Sequence, residues 1–234
     1  MATVAAACRQ QSQIEVLDMT SGGTVAPENV SARAASWTSS TEHSFSVTYR
    51  YHVDAAYCDI YGGALPSHPC MDAPLPEDTS EDRPHIAFTP YMRQLTERVI
   101  DGLENPLDRA RAIYDYLTQH IDYRYQPPYL LLGSIADDCA HSLRGDCGVM
   151  ALTFITMCRI AGVPARWQSG LYVAPDSVGP HDWQSSIRRK PGGSTPTCHL
   201  DLLLAGWGRS GAAITTLAIS TRGVWWQQSI PGRV

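Results

Sequence analysis

The hydrophobic pattern of the chain predicts a strand first and then a series of helices. Residues 43–53 alternate polar and apolar side chains, which is the pattern of a half-buried strand. Residues 89–100 repeat apolar side chains at helical spacing and predict an amphipathic helix. A second helix begins at Asn105-Pro106, because an N-cap residue is followed there by a proline that suits the first helical position.

The most apolar run of the chain follows Cys147 and predicts a helix that is buried on all sides. Between Met150 and Ile160, apolar residues occupy nearly every face of a helix, so this segment belongs in the core. Gly162 supplies a C-terminal cap, and Pro164 stops the helix.

Two strands are predicted after this helix. Residues 165–173 form the first, residues 174–180 form a loop rich in Pro and Gly, and His181 begins the second. The predicted fold class is therefore α+β, with a buried helix packed on an antiparallel sheet. A cysteine at the helix start and a histidine on a strand are typical of papain-like thiol enzymes.

Pattern and composition divide the chain into three parts. Residues 1–88 form a small N-terminal β-rich region with a linker, and residues 89–183 form the helix-and-sheet core. Residues 184–234 lose this pattern. We expect the C-terminal strands of the sheet to be missing or non-native there, which would leave an exposed sheet edge.

The N-terminal region shows few signals of regular structure. Residues 1–40 are rich in Ala, Ser and Thr with little periodicity, and we expect them to be loosely ordered. Residues 58–61 are a candidate short strand. Residues 62–85 carry many Pro, Gly, Asp and Glu residues and predict a linker.

Composition and charge argue against several classes of protein. The chain has 234 residues and a net charge of −5, which disfavours nucleic acid and membranes as partners. Its seven cysteines are irregularly spaced without a Cys-x-x-Cys pair, so neither a disulfide framework nor a zinc site is indicated. No acidic calcium loop is present. We expect a cytoplasmic protein without metal or other cofactor, and its oligomeric state stays open.

Cys147 and His181 are the candidate catalytic residues. A cysteine in the first turn of a helix meets unpaired backbone N–H groups and the positive end of the helix dipole, which favour the nucleophilic thiolate. An imidazole can then exchange its proton. Taken alone, Cys147 would be interpreted as a buried structural thiol and His181 as a surface or capping residue.

Four short motifs carry a family resemblance. They are Tyr123-Arg124-Tyr125 at the end of a helix pair, Gly145-Asp146-Cys147-Gly148, Gly162-Val163-Pro164-Ala165-Arg166 and His181-Asp182-Trp183. With these motifs, residues 105–183 resemble the core of the transglutaminase-like superfamily in its bacterial form, over about a third of the chain.

The resemblance implies a papain-like or transglutaminase-like fold and a specific chemistry. Cys147 would attack a carboxamide or peptide carbonyl of a protein or peptide substrate and form a thioester. His181 would be its base in a Cys-His-Asp triad, and water or an amine would resolve the thioester.

The third triad member departs from the family pattern. Asp182 adjoins His181 on a strand, where neighbouring side chains point to opposite faces, so it cannot orient the imidazole. The surroundings of Asp201 do not resemble the aspartate strand of the family. We hypothesise that the reading frame slips by one base near Trp183. Read in the shifted frame, the codons of residues 188–201 can encode a segment with Tyr-Pro-Asp-Leu, which resembles that strand.

Three functional interpretations stay open. The first is an acyltransferase or hydrolase, acting as a protein–glutamine γ-glutamyltransferase, an amidase or a cysteine peptidase. The second is a non-catalytic binding module of the same fold, and the third is a truncated product without function. Because the triad aspartate is not identifiable, we expect little or no activity from the chain as written.

Overall fold

The computed structural model describes most of the helical core of the chain and parts of the flanking regions. The described residues are 2–5, 7, 11–27, 33–38, 41, 44–53, 75–124, 128–174, 177–188, 198–202 and 217–221. The candidate strand at residues 58–61, most of the predicted linker and Tyr125 lie outside these residues. The described end of the linker contains a 3-10 helix, Pro76–Thr79.

Four α-helices follow one another along the core. They are α1 (Pro90–Val99), α2 (Pro106–His120), α3 (Ile135–Ser142) and α4 (Cys147–Ile160). Each begins after a side chain that accepts a backbone N–H of its first turn, which satisfies a donor that the helix leaves unpaired. The structure confirms the two helices predicted before Cys147 and adds α3, which the sequence pattern did not predict. No helix among the described residues has the length and apolarity to cross a bilayer.

Helix α4 lies at the centre of the hydrophobic core, as its composition predicts. Every residue from Gly148 to Arg159 is buried. Helices α1, α2 and α3 all pack against it, and so do two strands of the main sheet. The helix ends at Ala161, and Gly162 adopts a left-handed conformation with φ of 72°, which confirms the predicted cap.

The main sheet has four antiparallel strands in the order β10-β9-β8-β11. Their bounds are β8 (Ala165–Ala174), β9 (Ser177–Arg188), β10 (Cys198–Leu202) and β11 (Leu217–Thr221). Strands β8 and β9 form one long hairpin, so the loop predicted over residues 174–180 is much shorter than expected. His181 therefore lies inside β9 and does not begin it. The C-terminal strands were predicted to be missing or non-native. Strands are present in the described part of residues 184–234, where β10 pairs with β9 and β11 with β8, and their non-native character stays a prediction.

In the described part of the N-terminal region, five strands form two small antiparallel sheets. Strands β1 (Ala2–Thr3), β3 (Thr24–Val25) and β4 (Ala34–Ser36) form one, and β2 (Gln11–Met19) pairs with β5 (Val47–Val53) in the other. The predicted strand over residues 43–53 is thus confirmed in β5. The expectation of loose order over residues 1–40 is wrong for β2, which pairs along nearly its whole length. Strands β6 (Asp122–Tyr123) and β7 (Arg144–Gly145) form a two-stranded parallel pair beside α4.

Candidate active site

The N-terminus of α4 is capped by Asp146 and places Cys147 at its first position. The Asp146 carboxylate accepts the backbone N–H of Val149 at 2.9 Å and the hydroxyl of Tyr129 at 2.6 Å. A capping aspartate at this position satisfies a free N–H and complements the helix dipole. Asp146 of the Gly-Asp-Cys-Gly motif is therefore the N-cap of α4.

Two glycines make the close packing around this helix start possible. A Cβ on Gly145 would lie 2.8 Å from Cγ1 of Val149. A Cβ on Gly148 would lie 2.7 Å from Oδ2 of Asp182 and would also meet the Tyr129 hydroxyl. The Gly-Asp-Cys-Gly motif therefore has a steric basis on both sides of the nucleophile candidate.

The thiol of Cys147 is half-buried and contacts groups from two other elements. The backbone N–H of Asp182 on β9 donates a hydrogen bond to the sulfur, and so does the Tyr123 hydroxyl of β6. The Tyr123 oxygen in turn accepts the backbone N–H of Cys147. Tyr123 is 42% exposed, so its ring lies at the surface beside this cluster.

The electrostatic environment of Cys147 differs from the one expected of a bare helix N-terminus. Burial raises the pKa of the thiol, and the carboxyl groups of Asp182 and Asp146 raise it further. The hydrogen bonds from Asp182 N–H and the Tyr123 hydroxyl lower that pKa without reversing the direction. The resting site therefore favours the neutral thiol, because desolvation and negative charge both disfavour a second anion.

The tyrosines and Asp182 have perturbed acidities for related reasons. Burial, with the charge of Asp146 added, raises the pKa of Asp182 to about 7. Burial and contact with Cys147 raise the pKa of Tyr123 to about 12. Burial and the hydrogen bond to Asp146 also raise the pKa of Tyr129 well above its usual range, so both hydroxyls stay protonated.

His181 lies one residue before the contact between β9 and the thiol. Its Cα is paired with that of Gly170 on β8, and its side chain is half-buried. Burial lowers the pKa of the imidazole, so it is neutral at neutral pH. Strand β9 packs on α4 and places the Asp182 side chain against the first turn of that helix. Neighbouring side chains of a strand point to opposite faces, and the groups that shift the pKa of Cys147 include Asp182 and Asp146 but not His181, so the imidazole is not among the groups that the structure shows at the thiol. The assignment of Cys147 as nucleophile and His181 as base stays a prediction.

The pairing of β10 with β9 shows where Asp201 lies relative to His181. Asp201 is paired with Ser185, four residues along β9 from His181. Four residues of strand span about 13 Å, so Asp201 is not opposite the imidazole. In the described part of β10, the last pair joins Leu202 to Gln184, and no carboxylate residue is paired with His181.

Cys139 and Cys158 have the surroundings of structural thiols. Cys139 and Cys158 are both buried, and burial raises the pKa of Cys139 to about 11 and that of Cys158 well above its ordinary value. Both are therefore inert compared with half-buried Cys147. Across the described ranges, no group of three or more His, Cys, Asp or Glu side chains could hold a metal ion.

Sequence reasoning missed two of the groups at this site. Tyr129 was read only as part of an aromatic loop, and Asp182 only as a residue unable to orient His181. The available signal was the motif itself, because a glycine after the nucleophile indicates close approach by another group. Tyr123 was expected to line a cleft, and the structure places it against Cys147.

Comparisons with known proteins agree with this arrangement. The profile of the Transglutaminase-like superfamily matches residues 93–194. No curated protein matches the chain. Among solved structures, the "Putative Cysteine Protease from Cytophaga hutchinsonii" aligns with a TM-score of 0.52 and 18% identity, over 78% of this chain and 64% of that one. The chain thus spans somewhat less than two thirds of that relative, and the likeness shows the fold.

Two further structures align over smaller parts. A "putative protease from Parabacteroides distasonis" gives a TM-score of 0.33 at 14% identity, covering 41% of this chain and 21% of that one. The periplasmic domain of TgpA from Pseudomonas aeruginosa gives 0.41 at 18% identity, covering 53% and 44%. The family profile spans the four motifs and the site built from them. The chain therefore contains a transglutaminase-like superfamily domain.

Proposed function

We propose that this domain is a thiol acyl-transfer or hydrolase site that acts on a carboxamide or peptide carbonyl of a protein or peptide. The observation that carries the proposal is the position of Cys147. It is the first residue of a rigid, buried helix, its sulfur is half-buried, and it receives hydrogen bonds from Tyr123 and Asp182. A nucleophile that is held by its own helix and reached by solvent suits covalent catalysis.

The proposed reaction begins with a neutral thiol and a neutral imidazole. As the Cys147 sulfur attacks the carbonyl carbon, its proton passes to His181 and the carbonyl oxygen becomes an oxyanion. The backbone N–H of Cys147 and the hydroxyl of Tyr123 are the candidate donors to that oxyanion. The C–N bond then breaks, His181 gives its proton to the leaving amine, and a thioester remains on Cys147.

The second half of the reaction frees the enzyme. Water or an amine attacks the thioester carbonyl while His181 takes a proton from it. The C–S bond breaks, and the proton returns to the sulfur. Hydrolysis results if water is the acceptor, and transfer or cross-linking results if an amine outcompetes water at the site.

Thiol-specific labelling of the full chain tests this proposal. A small amide-bearing alkylating agent, followed by peptide mass spectrometry, should modify Cys147 at least about tenfold faster than Cys139 or Cys158, because those two are fully buried. Any release of ammonia or of new amino termini from casein should vanish in Cys147→Ala and remain unchanged in Cys139→Ala. Equal labelling of all three cysteines in the folded protein would contradict a nucleophilic role.

A non-catalytic binding module is the second candidate, and one observation favours it. Burial and two neighbouring carboxyl groups raise the pKa of Cys147, where a nucleophile is usually activated by a lowered one. A folded protein that binds peptides but whose Cys147 reacts no faster than an exposed model thiol would support this candidate. Activity that depends on Cys147 would exclude it.

A further inference from the structure

Asp182 brings a carboxyl group to the nucleophile from the opposite layer of the fold. Its backbone N–H donates to the Cys147 sulfur, and its Oδ2 lies 2.7 Å from the point where a Cβ on Gly148 would stand. The carboxyl group therefore packs against the first turn of α4, directly beside the residue that follows the nucleophile. A single residue thus presents a hydrogen-bond donor and an acidic group to the same thiol.

We propose that Asp182 is a positioning residue for Cys147. The backbone N–H of Asp182 holds the Cys147 sulfur in place. The carboxyl group of Asp182, once it has lost its proton, opposes ionisation of the thiol. The inference rests on the proposed function only in taking Cys147 as the reactive thiol. Asp182 needs no contact with substrate to act in this way.

The groups around the Asp182 carboxyl come from several elements. Helix α4 contributes Cys147 and its cap Asp146, and the 3-10 helix Tyr129–Leu131 contributes the Tyr129 hydroxyl. Tyr123 of β6 contacts the thiol itself, and His181 precedes Asp182 on β9. Asp146 is the charged member that faces Asp182, and two carboxyl groups at one buried site cannot both ionise freely.

The sign of the resulting pH dependence follows from this arrangement. The pKa of Asp182 is raised to about 7, so its carboxyl group is largely neutral in mildly acidic solution and charged in alkaline solution. While it is neutral, it adds no charge against the thiolate. Above neutrality its negative charge raises the pKa of Cys147, so the reactivity of the thiol should increase with pH less steeply than that of an isolated thiol.

Alkylation rates of Cys147 as a function of pH test the proposal. Iodoacetamide is the probe, because it is uncharged and reports the thiolate fraction. In Asp182→Asn we expect the rate to match the wild-type rate near pH 5.5 and to exceed it by about tenfold near pH 8. The matched control is Asp138→Asn, which removes the same charge from an exposed position of α3 and should follow the wild-type curve.

Two further measurements keep the test decisive. The first is the alkylation rate of Asp182→Ser, which removes the charge with a smaller side chain. The second is the pH profile of the wild-type alkylation rate, which should show a shallow region around pH 7 if Asp182 titrates beside the thiol. A ratio between Asp182→Asn and wild type that is constant with pH, or a wild-type profile with one steep inflection, would overturn the proposal. Absence of Cys147-dependent turnover in the frame-corrected protein would overturn the proposed function and leave this profile unchanged.

Discussion

The hydroxyl groups of Tyr123 and Tyr129 organise the start of α4 in different ways. Tyr129 donates to the capping carboxylate of Asp146 and so contributes to holding the helix terminus. Tyr123 contacts both the sulfur and the backbone N–H of Cys147. Of the two hydroxyls, that of Tyr123 is the one in contact with the thiol that is proposed to react.

Tyr123→Phe removes only the hydroxyl oxygen of Tyr123 and tests the contact of that hydroxyl with Cys147. The hydrogen bond that lowers the pKa of Cys147 would be lost, so alkylation of the thiol should become slower at neutral pH. Any Cys147-dependent turnover should fall about 10²- to 10³-fold, as expected for loss of an oxyanion donor. Tyr116→Phe removes a hydroxyl from α2, away from the thiol, and should change neither rate. An unchanged alkylation rate in Tyr123→Phe would refute the assigned contact.

At the scale of elements, two arginines attach the segment before α1 to the core. Arg166 at the start of β8 binds Asp78 through two hydrogen bonds of 2.7 Å, and Asp78 is 2% exposed. Arg159 at the end of α4 donates to the carbonyl oxygens of Ser80 and Ala165. Arg166 of the Gly-Val-Pro-Ala-Arg motif thus connects the main sheet to the end of the predicted linker, and Arg159 connects α4 to the same segment.

The stability of this attachment can be measured by urea unfolding. Arg166→Met would leave the carboxylate of Asp78 buried without its bidentate partner, and we expect a loss of about 3–5 kcal/mol in the free energy of unfolding. The control is Arg50→Met at the exposed pair with Glu15, which should cost at most about 1 kcal/mol. Replacing both Asp78 and Arg166 by apolar residues should recover most of the loss. A change below about 1 kcal/mol in Arg166→Met would show that the pair does not hold the segment.

Elements with a strong period could be predicted from the sequence, and short or irregular ones could not. Helix α4 was predictable because its apolar residues cover every face and its caps are explicit. Helix α3 has only eight residues, two of them adjacent aspartates, so it offers little periodicity. Strand β2 was not predicted because register shifts after Ser12 and Val16 interrupt the alternation of its side chains between the two faces of the sheet. At the site, Cys147 and His181 were found through motifs, whereas the contact of Asp182 with the thiol depends on tertiary packing.

At the scale of the whole molecule, the site depends on two segments far apart in the chain. The helical segment supplies Tyr123, Asp146 and Cys147, and the β8–β9 hairpin supplies His181 and Asp182. The hairpin continues into β10, where Asp201 is paired with Ser185. Among the described residues of β10, the carboxyl group proposed for the triad is therefore not placed opposite His181.

The frame-slip hypothesis makes a prediction about the gene. Sequencing across the Trp183 codon should reveal a single-base difference that restores an aspartate strand after β9. The corrected protein should then turn over substrates about four orders of magnitude faster than the 234-residue chain, as expected when a triad carboxylate is regained. An unchanged reading frame together with substantial Cys147-dependent turnover by the 234-residue chain would contradict the frame-slip hypothesis. An unchanged frame without turnover would favour the binding module.

The raised pKa of Cys147 has a consequence for the durability of the protein. Peroxides attack thiolates far more readily than thiols, so a nucleophile that stays protonated at rest resists oxidation to sulfenic acid and beyond. Burial and the neighbouring carboxyl groups keep Cys147 in that protected form. In the proposed mechanism the sulfur loses its proton only when a carbonyl group is ready to receive the attack. Burial and the neighbouring carboxyl groups, which make the resting thiol less reactive, would then protect it from oxidation between encounters with substrate.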